Sequence, residues 1–210
     1  MKKVVLSGYY GFNNIGDEAV LASIIQALKK EIPELAVTVL SHDPKKTEKQ
    51  YGVKAVNRWS LAQILPVLKD CDLFISGGGS LLQDVTGPKS ILYYLALICL
   101  ARFLRKPVMI YAQGIGPVHR PWARKLTGWV LNKVDLVTVR DEESRSDLES
   151  MGVFRPPVKV TVDPVMGWER IPAPLVPDNL KLLNADKSKF VGVSLRHWPG
   201  LNAGELAALG

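Results

Sequence analysis

The sequence predicts an α/β fold with a doubly wound, mostly parallel sheet. Short runs rich in β-branched residues alternate along the chain with longer segments of helical period, which is typical of strands joined by crossover helices. Hydrophobic residues make up 47% of the 210 residues and charged residues 22%, the balance of a globular protein with a real core. The segment after each predicted strand is rich in glycine or charge. These observations together predict a Rossmann-like domain.

The elements follow in order. The predicted strands are Lys3–Ser7, Ala36–Ser41, a weaker one at Val53–Val56, Leu73–Ser76, Val108–Ala112, Leu136–Arg140 and Val158–Val162. The predicted helices are Asp17–Lys30, Leu61–Leu68, Ser90–Arg105, Pro121–Lys133 and Glu142–Met151.

A change in amino-acid composition divides the chain. Residues 1–165 hold the Rossmann-like domain, and the proline-rich residues 166–189 are typical of a linker. Residues 190–210 contain a buried-strand pattern and a short helical piece, which cannot form a core alone. We therefore expect the chain to contain the first domain of a two-domain protein and a truncated start of the second.

Several classes of protein are excluded by composition. Cys71 and Cys99 form no CxxC motif or Cys/His cluster, so we expect no metal site and a reduced, cytoplasmic location. The N-terminal apolar run is too short for a signal peptide. The longest apolar run, 91–104, has the length of a buried helix and carries Arg102, so no membrane span is predicted.

Positive charge is concentrated in one block. The chain carries a net charge of +7, and no acidic residue lies between Val85 and Val134. This block is either the solvated face of two helices or a surface for phosphate, nucleic acid or an anionic membrane at its inner face. A nucleic-acid partner is not expected, because no recognition motif is present. The basic residues are Lys89, Arg102, Arg105, Lys106, Arg120, Arg124, Lys125 and Lys133.

In a parallel sheet, ligands bind beyond the carboxyl ends of the strands. The loop after the first strand has glycines at 8, 11 and 16, which matches neither the GxGxxG motif nor a P-loop, so a standard nucleotide cofactor is disfavoured. Asn13, Asn14 and Asp17 would suit sugar hydroxyls, with Asp17 as a general base. Alternatively, Asn14 and Asp17 only cap the first helix.

Two further loops carry glycines that allow a ligand to approach the backbone closely. The candidate residues are Gly77, Gly78, Gly79 and Ser80 after one strand and Gln113 and Gly114 after another. A plain tight turn would explain these glycines equally.

Arg140 ends a further strand at the same edge. Its guanidinium could hold a carboxylate or phosphate through two parallel hydrogen bonds. The alternative is that Arg140 only pairs with Asp141 or Glu143.

Five segments occur along the chain in the order GYYGFNNIGDEA at 8–19, SGGGSLLQD at 76–84, AQGIGP at 112–117, TVRDEES at 138–144 and VDP at 162–164. Together they resemble the polysaccharide pyruvyl transferases, most closely those of the CsaB type. The resemblance implies a two-domain, glycosyltransferase-B-like fold. It also implies transfer of a pyruvyl group from phosphoenolpyruvate to a cell-wall polymer sugar, N-acetylmannosamine in the CsaB type, as a cyclic ketal.

By the same resemblance, Arg140 corresponds to the donor-binding arginine, and Asn14 and Asp17 correspond to acceptor-side residues. No cofactor beyond the phosphoenolpyruvate donor is implied, and the acceptor is the polymer or its lipid-linked precursor. The family's second-domain Arg-x-His motif has no counterpart here, since Arg196 and His197 are adjacent. We therefore expect weak or no activity from this chain alone. A nucleotide-sugar glycosyltransferase and a non-catalytic carbohydrate- or anion-binding module remain the alternatives.

Overall fold

A single parallel sheet organises the protein. The computed structural model describes residues 1–85 and 87–168, and within these residues seven strands pair in the order β3-β2-β1-β4-β5-β6-β7. This confirms the predicted α/β fold with a doubly wound parallel sheet. The strands are β1 (Lys3–Ser7), β2 (Ala36–Ser41), β3 (Lys54–Asn57), β4 (Leu73–Gly77), β5 (Val108–Gln113), β6 (Leu136–Val139) and β7 (Val158–Val160).

Helices connect the strands. The five predicted helices are confirmed with ends shifted by a few residues, and α2 was not predicted. Only one residue of α2 is buried, so its segment has no apolar period from which a helix could be predicted. The sequence features that mark this helix are the capping residue Asp43, Pro44 at its start and Gly52, which has a left-handed φ, after its end. The helices are α1 (Ile15–Glu31), α2 (Pro44–Tyr51), α3 (Leu61–Asp70), α4 (Pro88–Phe103), α5 (Pro121–Leu131) and α6 (Glu142–Ser150), followed by a 3₁₀ turn at Pro164–Gly167.

The core lies on both faces of the sheet. Alternate side chains of β1 enter different clusters: Val5 packs with residues of α3 to α6, whereas Val4 and Leu6 pack with α1. A strand buried on both faces has to be apolar throughout, which explains the unbroken apolar runs of the sequence.

The most apolar helix, α4, is part of this core. Six of its residues are buried, which confirms the prediction of a buried helix. No helix in the described part of the chain is long and apolar enough to span a membrane.

The strand order places the candidate loops together. β1 lies between β2 and β4, so the chain leaves β1 on one side and returns on the other. Such a reversal opens a crevice at the carboxyl edge of the sheet. Here the crevice lies between the loop after β1 and the loop after β4.

The basic block is not one patch. α4 and α5 both run from the carboxyl edge of the sheet to its amino edge, because each joins the end of one strand to the start of the next. Lys89 and Arg120 therefore lie at the carboxyl edge, whereas Arg102 and Lys133 lie at the amino edge, far from the predicted site. The basic block is therefore divided between the two edges of the sheet.

The described residues up to Trp168 form one compact unit, Met1–Trp168. Its end lies three residues beyond the predicted boundary at 165. Most of the predicted linker, 166–189, and all of the predicted second domain start, 190–210, lie outside the described residues.

Candidate active site

Asp17 meets the glycine loop of β4 at the crevice. A Cβ built on Gly79 would lie 3.1 Å from Asp17 Oδ1, and one on Gly78 only 1.9 Å from Val20 Cγ1. Both glycines have left-handed φ angles, +64° at Gly78 and +66° at Gly79, which other residues rarely adopt. The first two turns of α1 therefore pack directly against this backbone, and glycine is required for the contact.

The environment of Asp17 changes its acidity. Burial raises the pKa of Asp17 to about 6, the neighbouring charge of Glu18 adds to the effect, and a hydrogen bond from Asn14 opposes it. A carboxyl group with this pKa can both accept and release a proton near neutral pH. That is the property a general base requires.

The two asparagines before α1 have separate roles. Asn14 caps α1, since its side chain accepts a hydrogen bond from the Gly16 N–H at 3.1 Å. The capping alternative is therefore confirmed for Asn14 and not for Asp17, which is the third residue of the helix and lies in its first turn. Asn13 adopts a left-handed φ of 62°, and its side chain accepts a hydrogen bond from Lys46 of α2.

Backbone hydrogen bonds join the loops after β4 and β5. The Gly78 N–H donates to Tyr111 O, and the Gly114 N–H donates to Gly79 O, both at 2.9 Å. Within the described residues the N–H groups of Gly79 and Ser80 donate to no protein acceptor. Two adjacent free N–H groups beside a left-handed glycine form the kind of nest that binds anions.

Arg140 reaches the same loop from β6. Its Nη2 donates to Ser80 Oγ at 3.2 Å, while Nε lies 3.4 Å from Asp141 and Nη1 lies 3.5 Å from Asp163. The expected pairing with Asp141 is thus present, and about a third of the arginine side chain stays exposed. The carboxylates of Asp141 and Asp163 orient the guanidinium, and its hydrogen bond to Ser80 directs it toward the loop after β4.

Gly114 makes room for Arg140. A Cβ on Gly114 would lie 2.7 Å from both Nε and Nη2 of Arg140. The neighbouring Gln113 is fully buried, and its Nε2 donates to Ser76 Oγ at 2.9 Å, so its side chain lies beneath the loop. Its Oε1 has no hydrogen-bond partner among the described residues.

Three residues that support the site were not predicted. Asp163, of the VDP segment, orients Arg140 and could have been identified from that motif. Asp84, the last residue of SGGGSLLQD, is buried and accepts hydrogen bonds from the N–H groups of His119 at 3.0 Å and Arg120 at 2.8 Å. Burial alone would raise the pKa of Asp84, but these donors and the Arg120 charge together lower it.

Arg58 is the third supporting residue that was not predicted. It is 3% exposed, and it follows β3 in a segment without a recognisable motif. Its Nη1 donates to Gly8 O at 2.8 Å and its Nη2 to Tyr94 Oη at 3.2 Å. The guanidinium carbon also lies 4.5–5.4 Å from the ring centroids of four described aromatic residues. Arg58 thereby fixes the start of the loop that leads to Asp17. The rings belong to Phe12, Trp59, Tyr93 and Tyr94.

Together these contacts define a crevice whose groups could bind an anion, with the carboxyl group of Asp17 at its wall. Asp17 contacts the loop at Gly79, and Arg140 contacts it at Ser80, the next residue. Among the described residues, no group of three or more His, Cys, Asp or Glu side chains could hold a metal ion. The geometry suits a ligand that presents a phosphate or carboxylate to the arginine and a hydroxyl to the carboxylate.

The fold and crevice define a Rossmann-like domain whose candidate site lies at the topological switch point. Residues 14–203 match the family model described as polysaccharide pyruvyl transferase. The chain belongs to the polysaccharide pyruvyl transferase family.

A curated relative and two solved structures are similar to parts of the chain. The amylovoran biosynthesis protein AmsJ of Erwinia amylovora is 23% identical over 192 residues, covering 72% of this chain and 45% of AmsJ. Anabaena HepE in complex with UDP matches 78% of this chain and 44% of its own, at 13% identity and a TM-score of 0.54. The S. aureus MnaA–UDP structure has the same coverage, with 16% identity and a TM-score of 0.50.

These structural likenesses show the fold alone. The chain spans about half the length of the proteins it matches.

Proposed function

We propose that the protein transfers a pyruvyl group from phosphoenolpyruvate to a polysaccharide sugar, leaving a cyclic ketal. The observation that carries this proposal is the pairing of Arg140 with Ser80 beside the free N–H groups of Gly79 and Ser80, next to the half-buried Asp17. Phosphoenolpyruvate carries a phosphate and a carboxylate, which are the groups that a guanidinium and a backbone nest bind.

The proposed reaction proceeds in two additions. Ionised Asp17 removes the proton of a sugar hydroxyl as the hydroxyl oxygen bonds to C2 of the enol, while C3 of the enol gains a proton from solvent and Asp17 later returns its proton to solvent. A second hydroxyl of the same sugar then bonds to C2 as the C2–O bond to phosphate breaks, and the departing phosphate takes up the proton of that hydroxyl. Arg140 and the loop N–H groups stabilise the charge of the departing phosphate.

The acceptor we propose is an N-acetylmannosamine unit of a cell-wall polymer or its lipid-linked precursor, as in the CsaB type. Membership of the family supports a polysaccharide acceptor. The relative AmsJ is itself named for the biosynthesis of a polymer, amylovoran. The choice of sugar rests on the resemblance of the ordered motifs to the CsaB type.

The second candidate is a nucleotide-sugar glycosyltransferase. Two proteins of similar fold, HepE and MnaA, are described as complexes with UDP, which motivates the comparison. The first loop of this chain lacks the glycine spacing of dinucleotide and P-loop sites. The absence of both nucleotide-phosphate motifs favours the phosphoenolpyruvate donor. A non-catalytic carbohydrate-binding module is the third candidate.

The test uses the protein together with the second domain that the sequence predicts, and it measures phosphate release from phosphoenolpyruvate in the presence of a polymer that contains N-acetylmannosamine. We expect release of phosphate together with a pyruvyl ketal on the sugar, detected by mass spectrometry. Asp17→Asn should slow the reaction about 100- to 10,000-fold, the range for loss of a general base. Glu34→Gln, a change at an exposed carboxylate before β2, should have no effect.

Transfer that consumes a UDP-sugar and leaves phosphoenolpyruvate unchanged would contradict the proposal and favour the glycosyltransferase. Binding of the polymer without any turnover that depends on Asp17 would favour the binding module.

A further inference from the structure

A groove at the amino edge of the sheet combines aromatic and basic side chains. It has a volume of about 750 Å³, and it lies where α4 and α5 end and β6 begins. A second, adjoining groove of about 460 Å³ shares Trp129, Lys133 and Arg155 with it. We call the two together the amino-edge groove; its aromatic residues are Phe103, Trp129 and Phe154, and its basic residues are Arg102, Lys133 and Arg155.

The three rings are unusually exposed for their size. Phe103 is 83% exposed, Phe154 74% and Trp129 57%. They come from three different connections and line the two adjoining grooves. Exposed apolar surface of this kind, bordered by polar groups, marks an interaction site.

The frame of the groove is rigid. The Asn132 side chain donates to Gly128 O at 2.8 Å and to Gly152 O at 2.7 Å, and its Oδ1 accepts from the N–H groups of Phe154 and Arg155. One side chain thus joins the end of α5 to the segment that carries Phe154. The rings are therefore presented by fixed backbone.

The charge around the groove is positive. Arg102 pairs with Asp135 at 2.8 Å, and that carboxylate also accepts the Val108 N–H. Lys133 lies 3.0 Å from the centroid of the Trp129 ring. Within the described residues, Lys133 and Arg155 make no ion pair, so their charge is available to an anionic partner.

We propose that the amino-edge groove is a docking surface for an anionic phospholipid bilayer. Aromatic side chains prefer the interface between headgroups and acyl chains, and lysine and arginine are attracted to anionic headgroups. Exposed rings beside Lys133 and Arg155, which make no ion pair among the described residues, match that layered partner better than a small molecule, which would need an enclosed pocket. The proposal is independent of the reaction at the carboxyl edge.

The test is co-sedimentation of the protein with vesicles of phosphatidylglycerol and phosphatidylcholine, beside vesicles of phosphatidylcholine alone. We expect binding to the anionic vesicles only, weakened by added salt. Lys133→Gln should weaken binding about fivefold, since one charge near the surface contributes about that factor. The double variant Trp129→Ser, Phe154→Ser should weaken it more than tenfold.

Two matched controls use the other end of the same helix. Trp122→Ser removes an exposed tryptophan from the first turn of α5, and Lys125→Gln removes an exposed lysine one turn later. Neither should change binding. Absence of binding to anionic vesicles, or equal losses in the control variants, would overturn the proposal. The proposal would also be overturned if the protein formed a dimer that Trp129→Ser dissociates and did not bind vesicles. The groove would then hold a second copy of the chain.

Discussion

The backbone of Gly114 lies directly against the guanidinium of Arg140. A single added methyl group at this glycine would lie 2.7 Å from two of the arginine nitrogens. The N–H of Gly114 donates a hydrogen bond to Gly79 O in the loop after β4, so the backbone at Gly114 has little freedom to move away from the arginine. The absence of a side chain at position 114 is therefore part of how Arg140 is placed at Ser80.

Gly114→Ala should displace Arg140 from Ser80 and weaken anion binding about tenfold or more, the effect of losing a hydrogen bond to a charged group. Stability should change little, because the displaced atoms are the end of a flexible side chain. Calorimetry with phosphoenolpyruvate and thermal unfolding measure the two effects. Gly167→Ala is the matched control, since a Cβ there meets open space. Equal binding by Gly114→Ala and the unchanged protein would contradict this placement.

The rate of pyruvyl transfer should depend on the ionisation of Asp17. With a pKa of about 6, kcat/KM should rise tenfold per pH unit below pH 6 and become level above it. The pH profile of phosphate release measures this. A profile that is already level at pH 5 would mean that Asp17 is not the base.

The same pKa has a consequence for folding. The pKa of Asp17 is raised in the folded state from its ordinary value of 3.8, so the folded state binds this proton more tightly than the unfolded state. Stability from this group is present below pH 4 and is lost as the pH rises to 6. Asp17→Asn should therefore raise the melting temperature at pH 8, with the gain shrinking toward pH 4.

Asp70→Asn is the contrasting control for that measurement. The hydrogen bond and charge of Lys3 lower the pKa of Asp70, so its replacement should bring no gain at pH 8. A melting temperature for Asp17→Asn equal to that of the unchanged protein at pH 8 would argue against the burial of Asp17.

Arg58 should contribute strongly to the free energy of unfolding, although it lies in a segment without a recognisable motif. Arg58→Ala removes two hydrogen bonds and leaves a cavity among four described rings, so we expect a loss of about 2–4 kcal/mol in unfolding free energy. Denaturant titration measures it. Arg145→Ala, at an exposed arginine of α6, should cost no more than about 0.5 kcal/mol. Equal costs for the two would contradict the structural role of Arg58.

Periodicity was sufficient to predict most of the fold. Inner strands such as β1 and β4 are buried on both faces, which makes their apolar runs distinct, and α1 carries the expected acidic first turn and basic last turn. α2 has no apolar period, because nearly all of its surface is exposed to solvent. Its capping residues, Asp43 and Gly52, held the remaining signal.

The candidate site was predictable only in part. Loops at the carboxyl edge were expected to hold Asp17, the glycines and Arg140, and the structure brings these residues to one crevice. Periodicity says nothing about which side chains are buried beneath a loop, so the buried position of Gln113 was not foreseen. Long-range contacts such as that of Arg58 with Gly8 depend on tertiary packing and leave no local pattern.

Binding of phosphoenolpyruvate by calorimetry, compared between the unchanged chain, Arg140→Ala and Arg145→Ala, tests the central claim most directly. Both variants remove one arginine, but only Arg140 contacts the glycine loop. We expect binding by the unchanged chain and by Arg145→Ala, and a loss of about tenfold or more in Arg140→Ala. Equal binding by all three proteins, or UDP binding that phosphoenolpyruvate does not displace, would contradict a donor site at Arg140.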